Sequence, residues 1–134
     1  MNSVNYELDL FCRAYMRMQP SLPIRHSQMA VLEILCTTPG SHTPADIASA
    51  MRVSRPMVAA HLVALAEMGY ISRVSSPDDG RSVIILPTKK GRKLYSEYVT
   101  TNQRFLSDLS QKMGIKKFES LVKLISLANK YMAE

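Results

Sequence analysis

The sequence predicts a mainly α-helical fold that contains one small β-hairpin. Along most of the chain, apolar residues recur every three or four positions, which is the period of an amphipathic helix. Stops that are rich in proline and glycine divide this pattern into several helical segments. Residues 70–86 differ, because two short apolar runs there flank a turn of the type that joins two antiparallel strands.

The first two helices are defined by their apolar stripes and by the breaks that follow them. Residues 4–18 carry apolar side chains at helical spacing, and the Pro20–Pro23 segment ends that pattern. Ser27 is a good N-cap residue, so we expect a second helix to begin there. The Thr38–Ser41 stretch then forms a clear stop.

Two further helices follow with only a short connection between them. Thr43 is placed to cap the first, with Pro44 at its first position, where a missing N–H costs nothing. Ser54 is placed to cap the second, and Gly69 ends it. Two helices joined in this way predict a helix-turn-helix, whose second helix enters the major groove of DNA.

The hairpin comes directly after this helix pair and would form the wing of a winged helix. We expect its strands at residues 70–74 and 82–86, with the second ending before Pro87 because proline removes a ladder donor. Thr88 is placed to cap a long helix that Gly114 interrupts, and one more helix follows.

The positive charge is concentrated in the middle of the chain. The protein has 17 basic and 11 acidic residues, a net charge of +6. Residues 52–93 hold eight bases and three acids, whereas residues 1–51 hold three bases and four acids. A localised basic region favours a polyanionic partner, since phosphate contacts release counterions, although a basic surface is often merely solvated.

Several classes of protein are disfavoured by the sequence. It has no nucleophile elbow, no glycine-rich phosphate loop and no metal-ligand spacing, so we expect neither an enzyme nor a cofactor. No apolar run is long enough to span a bilayer, and the N-terminus lacks the features of a signal peptide. With only Cys12 and Cys36, a disulfide framework is excluded, and a cytoplasmic location is expected.

Several segments resemble the MarR family of transcription regulators in register over roughly residues 27–95. The most specific is the wing, Asp79-Gly80-Arg81, followed by Thr88-Lys89-Lys90-Gly91. The others are Ser27–Leu35, Thr43–Ala48, Val53-Ser54-Arg55-Pro56 and Gly69-Tyr70-Ile71.

The resemblance implies a winged helix-turn-helix over residues 26–93, with residues 1–25 and 94–134 forming a helical dimerisation region. It further implies a homodimer that binds double-stranded DNA at a pseudo-palindromic operator, often as a repressor released by a small-molecule effector or an oxidant. The DNA-binding residues implied are Ser54, Arg55, Pro56, Met57, Ala60, His61, Asp79 and Arg81. In this pattern Arg81 is the contact at the tip of the wing, and Asp79 orients it.

Three points stay open at the level of sequence. His61 either faces the groove or packs, because it lies one step from the core position Leu62. Cys12 is either a redox sensor or a packing residue, since reactivity needs a lowered pKa. The second helix of the pair is rich in alanine, which cannot hydrogen-bond a base, so a protein-interaction module without sequence-specific binding is the alternative.

Overall fold

The computed structural model describes residues 3–76 and 82–133. Within these ranges, six helices and one antiparallel two-stranded hairpin follow each other in the predicted order, and the predicted fold class is confirmed. The elements are α1 (Val4–Arg17), α2 (His26–Thr37), α3 (Pro44–Met51), α4 (Arg55–Glu67), β1 (Ile71–Ser75), β2 (Val83–Pro87), α5 (Lys89–Met113) and α6 (Ile115–Met132).

The chain divides into two compact units. One, here called the winged-helix unit, is Leu22–Tyr98. The other, here called the helical unit, consists of the residues up to Ser21 together with Val99–Met132. Helix α5 is continuous and contributes its first turns to the former and its remainder to the latter.

The core of the winged-helix unit is built from α2, α3, α4 and β2. Each helix turns one apolar stripe inward, as its periodicity predicts, and the second strand contributes a single central side chain. The side chains that are almost completely buried are Met29, Val31, Leu32, Ile47, Val58, Leu62, Leu65 and Ile85. This core holds the helix pair and the hairpin in one unit.

The helix starts confirm three predicted caps and correct a fourth. The side chains of Thr43, Ser54 and Thr88 each accept a backbone hydrogen bond at the starts of α3, α4 and α5. The prediction that Ser27 caps α2 was wrong, because that helix begins one residue earlier, at His26. There, the backbone N–H of Arg25 donates to Oε1 of Gln28 at 2.9 Å, so a glutamine closes the first turn.

The hairpin is shifted by one residue from its predicted bounds. Ile71 pairs with Pro87 and Ser75 with Val83, so the prediction that the second strand ends before Pro87 was wrong. The fixed φ of proline is compatible with extended backbone, and only its N–H is lost to the ladder. The N–H of Ile85 also donates to the carbonyl of His42 at 2.8 Å, which attaches β2 to the loop before α3.

The helical unit is held partly by aromatic contacts and leaves much apolar surface exposed. The ring of Tyr15 lies 6.3 Å from that of Phe11 and 6.2 Å from that of Phe105, measured between centroids. Among the described residues, neither α1 nor α6 has a buried side chain. The large apolar residues exposed on these two helices are Val4, Tyr6, Leu8, Leu10, Phe11, Met16, Ile115, Val122, Leu124, Ile125, Leu127, Tyr131 and Met132.

Candidate nucleic-acid interface

The turn between α3 and α4 uses a left-handed residue to reverse the chain. Arg52 has φ 58° and ψ 44°, a conformation that non-glycine residues rarely adopt. It allows the N–H of Val53 to donate to the carbonyl of Ala48 at 3.1 Å and close the end of α3. The new helix then starts at once, because Oγ of Ser54 accepts from the N–H of Met57 at 3.3 Å. The two helices therefore form a tight helix-turn-helix.

Helix α4 has one buried side and one exposed side. Val58, Leu62 and Leu65 are buried in the core and fix the orientation of the helix in its unit. The other side is open, and its first two turns carry one arginine among small or apolar side chains. In helix-turn-helix proteins, the second helix packs on the core with one side and enters the major groove with its exposed side.

The predicted contact residues fall into three groups in the structure. Five of them are exposed at the start of α4 or just before it: Ser54, Arg55, Pro56, Met57 and Ala60. His61 is half-buried, and its Nε2 atom is buried without a hydrogen-bond partner among the described residues. Asp79 and Arg81, the predicted wing contacts, lie outside the described residues.

An exposed valine of α4 was overlooked by the reasoning from sequence. Val63 is 49% exposed and continues the open side of α4, three residues after Ala60 and seven after Pro56. The same helical period that identified the core stripe could have found it. A valine or alanine methyl at such a position can contact a thymine methyl but cannot hydrogen-bond a base edge.

An open groove of about 560 Å³ lies beside α4. Arg55 and Ala59 line it on the α4 side, and the other lining residues come from the start of α3 and from β2. Those are Thr43, Pro44, Ala45, Ser82 and Val83. Helices α3 and α4 and the hairpin therefore all line this one groove.

The far end of α4 is closed by glycine and then held by α5. Gly69, with φ 81°, permits the N–H of Tyr70 to donate to the carbonyl of Leu65 at 2.9 Å. This is the hydrogen bond expected of a glycine-terminated helix, so the predicted end at Gly69 is confirmed.

The carbonyls of Met68, Gly69 and Tyr70 accept hydrogen bonds from Lys90, in the first turn of α5, and from Thr88, the residue before that helix. Thr88 donates through Oγ1 to the carbonyl of Gly69 at 2.6 Å and through its N–H to that of Tyr70 at 3.0 Å. Nζ of Lys90 donates to the carbonyl of Met68 at 2.6 Å. In the sequence, Lys90 stands out only as part of the Thr88–Gly91 motif.

Two cysteines and one carboxylate have distinct environments. Burial raises the pKa of the Cys36 thiol, and the positive charge of Arg92 opposes that rise only partly. Cys12 is exposed on α1. Hydrogen bonds from the backbone and side chain of Thr43 lower the pKa of the exposed Asp46.

Two other kinds of site were sought in the described part of the chain. Over residues 3–76 and 82–133, no three His, Cys, Asp or Glu side chains converge as metal ligands would. In the same ranges, none of the helices combines the length and hydropathy needed to cross a membrane.

Comparison with known proteins supports the family resemblance. A profile of the MarR family matches residues 24–83, which include both helices of the pair and the first strand of the hairpin. The resemblance to the MarR family that the sequence motifs indicate is therefore confirmed over this region. An HTH-type transcriptional regulator of Mycobacterium bovis is 32% identical over 89 residues, 66% of this chain and 62% of that protein. A regulator of Mycobacterium tuberculosis matches to the same extent, so the match spans less than two thirds of these relatives.

Solved structures of the family share the fold over almost the whole chain. The transcriptional repressor CouR, bound to a 23-mer DNA duplex, has a TM-score of 0.79 at 25% identity, covering 95% of this chain and 92% of its own. FabT of Streptococcus pneumoniae, in complex with DNA, has a TM-score of 0.79 at 21% identity, covering 96% of this chain and 93% of its own. This chain therefore has the winged helix-turn-helix fold.

Proposed function

We propose that this protein is a sequence-specific DNA-binding transcription regulator that acts as a homodimeric repressor on a pseudo-palindromic operator. The observation that carries the proposal is the exposed start of α4, capped by Ser54, bearing Arg55 and braced by the buried side of the same helix. The relatives are named as transcriptional regulators, which agrees with the expectation that the protein is not an enzyme. With DNA as partner, we place the protein in the cytoplasm.

Readout of the operator would depend on few groups. Arg55 is exposed in the first turn of α4, and an arginine guanidinium can donate two hydrogen bonds to a guanine. Met57, Ala60 and Val63 present only apolar atoms, which suit thymine methyls. Because one ring nitrogen of His61 is buried, any contact from that residue would use the other nitrogen. Arg81 would add affinity without base discrimination at the wing.

The homodimer is proposed from the apolar surface of the helical unit. On α6, Leu124 is 63% and Val122 50% exposed, and Leu8 on α1 is 57% exposed. Soluble proteins rarely leave large apolar patches uncovered. A second copy of the same chain would cover this surface by two-fold symmetry, and the two α4 helices would then meet successive major grooves about one helical turn apart.

Dimer formation has a direct test in sedimentation equilibrium. Leu124→Glu should weaken association, because it places a charge in the proposed interface. Ser126→Glu, on the same exposed helix, adds the same charge and is the matched control. A monomeric wild type, or equal weakening by both substitutions, would count against this interface.

A small-molecule effector or an oxidant is proposed to release the DNA. A structural neighbour, BpsR of Bordetella bronchiseptica, is described as regulated by 6-hydroxynicotinic acid. An effector needs only to bind two states of the dimer with different affinity. Cys12 is exposed on α1 and is the candidate for oxidation. Loss of binding with oxidant that Cys12→Ser prevents would establish sensing.

The experiment that tests the proposed function is selection of bound DNA from a random pool at defined salt. A two-fold symmetric consensus is the expected result. Arg55→Ala should then relax the preference at one position of each half-site and cost about 1–3 kcal/mol of specific binding. Arg104→Ala, an exposed arginine of the helical unit, is the control of equal charge. A specificity ratio near one would instead favour the protein-interaction module.

A further inference from the structure

We infer that Lys90 is a positioning residue for base readout. It holds the C-terminal end of α4 against the start of α5 and so contributes to discrimination between DNA sequences rather than to phosphate binding. The inference rests on the proposed function, because discrimination presupposes sequence-specific binding. It assigns a role to a lysine that is not among the predicted contact residues.

The Lys90 side chain is held by two contacts. Its Nζ lies 2.6 Å from the carbonyl oxygen of Met68, the C-cap residue of α4. The same nitrogen lies 4.6 Å from the centroid of the Tyr70 ring, and Tyr70 is only 7% exposed. A cation at the C-terminus of a helix is favoured by the helix dipole, and a cation over an aromatic ring is favoured by the ring quadrupole. This ammonium group is therefore directed toward the protein.

The position of this contact makes it a constraint on the helix. The carbonyls of Met68, Gly69 and Tyr70 are consecutive, and all three accept hydrogen bonds from Thr88 or Lys90. Three bonds at one end of α4 resist both tilting and sliding of the helix along its axis. Lys90 supplies the bond nearest to the last helical turn.

Base recognition is more sensitive to such movement than phosphate binding. A bidentate contact to a base edge needs fixed distances and directions, whereas long basic side chains follow a phosphate through small displacements. A looser α4 would therefore lose affinity for its operator while keeping most of its affinity for random DNA. The separation of these two affinities distinguishes positioning from direct phosphate contact.

The test compares Lys90→Met with Lys89→Met at several salt concentrations. Methionine keeps much of the length of the side chain but cannot donate, and Lys89 is an adjacent exposed lysine of equal charge. We expect Lys90→Met to lower the ratio of specific to non-specific affinity roughly threefold to tenfold, with an unchanged salt slope. Lys89→Met should leave the ratio unchanged, and Lys90→Arg, which keeps the cation, should largely restore it.

Two results would overturn the inference. One is a salt slope that falls by about one in Lys90→Met while the ratio stays constant, since Lys90 would then be a phosphate contact. The other is no change in either quantity.

Hydrogen exchange without DNA separates this inference from the proposed function. If the wild type shows no sequence preference, the proposed function fails, yet the amides of Met68 and Tyr70 should still exchange faster in Lys90→Met than in Lys89→Met. These two amides donate to the carbonyls of Ala64 and Leu65, at the end of α4 that Lys90 is inferred to hold. Unchanged protection would refute the positioning role by itself.

Discussion

Substitution of Gly91 by alanine brings two physical effects into opposition. Gly91 is buried in α5, and a Cβ atom built there would lie 2.1 Å from the carbonyl oxygen of Tyr70. It would also lie 3.2 Å from a methyl group of Leu32. Since ordinary contact begins at 3.4 Å, the first distance is about 1.3 Å too short, and the obstacle is backbone. The chain must therefore move, and Thr88, which bonds Gly69 and Tyr70, must move with it.

The expected magnitude follows from three terms. Alanine is favoured over glycine inside a helix by about 1 kcal/mol, which would stabilise the variant. Overpacking of a filled interior costs about 1–3 kcal/mol, and each of the two hydrogen bonds of Thr88 that would be strained contributes about 1 kcal/mol. We expect Gly91→Ala to lower the free energy of unfolding by about 2–4 kcal/mol.

Urea denaturation followed by circular dichroism measures this difference. With a slope of about 1.5 kcal/mol per molar, the midpoint should fall by roughly 2 M. The wild type and Gly91→Ala must be compared at the same protein concentration, because association would stabilise the folded state. Lys93→Ala, at an exposed position of the same helix, should change the midpoint little. If the urea midpoint of Gly91→Ala equals or exceeds that of the wild type, the close approach of the Tyr70 carbonyl does not exclude a side chain at position 91.

Three further predictions concern a cap, the thiols and acid stability. Ser54→Ala should destabilise the protein by about 1 kcal/mol in thermal or urea unfolding, because the N–H of Met57 loses its acceptor. At neutral pH, iodoacetamide should label Cys12 before Cys36 in a mass-spectrometric time course, because the raised pKa of Cys36 leaves less thiolate. The lowered pKa of Asp46 means that its contribution to stability is present above its unfolded pKa and is lost as the pH falls through its folded pKa. Asp46→Asn should therefore show a shallower acid loss of stability than the wild type in urea titrations at several pH values.

The parts of the fold that were predictable from sequence are those that local chemistry determines. Thr43 and Ser54 begin their helices because their side chains accept hydrogen bonds in the first turn, and Gly69 ends one because it alone tolerates φ 81° easily. The start of α2 was missed because the cap there is formed by Gln28, whose amide reaches back to Arg25. Glutamine at that position is too common elsewhere to be a signal.

The tertiary contacts at the candidate site could not be predicted from the sequence. Lys90 looks like any exposed lysine until Met68 and Tyr70 are seen beside it, 22 and 20 residues earlier in the chain. Gly91 belongs to the motif that indicates the MarR family, but only the approach of the Tyr70 carbonyl explains why a side chain would not fit. Such constraints arise between distant segments and leave no periodic pattern.

The apolar surfaces of α1 and α6 also bear on how a cell could use this protein. Under the dimer proposal, a chain that emerges alone exposes Val4, Leu124 and Met132, which are 75%, 63% and 76% accessible. The concentration of paired chains then rises with the square of the concentration of single chains while synthesis is low. Operator occupancy would respond steeply to gene dosage, so a modest change in expression could switch the target gene without any effector.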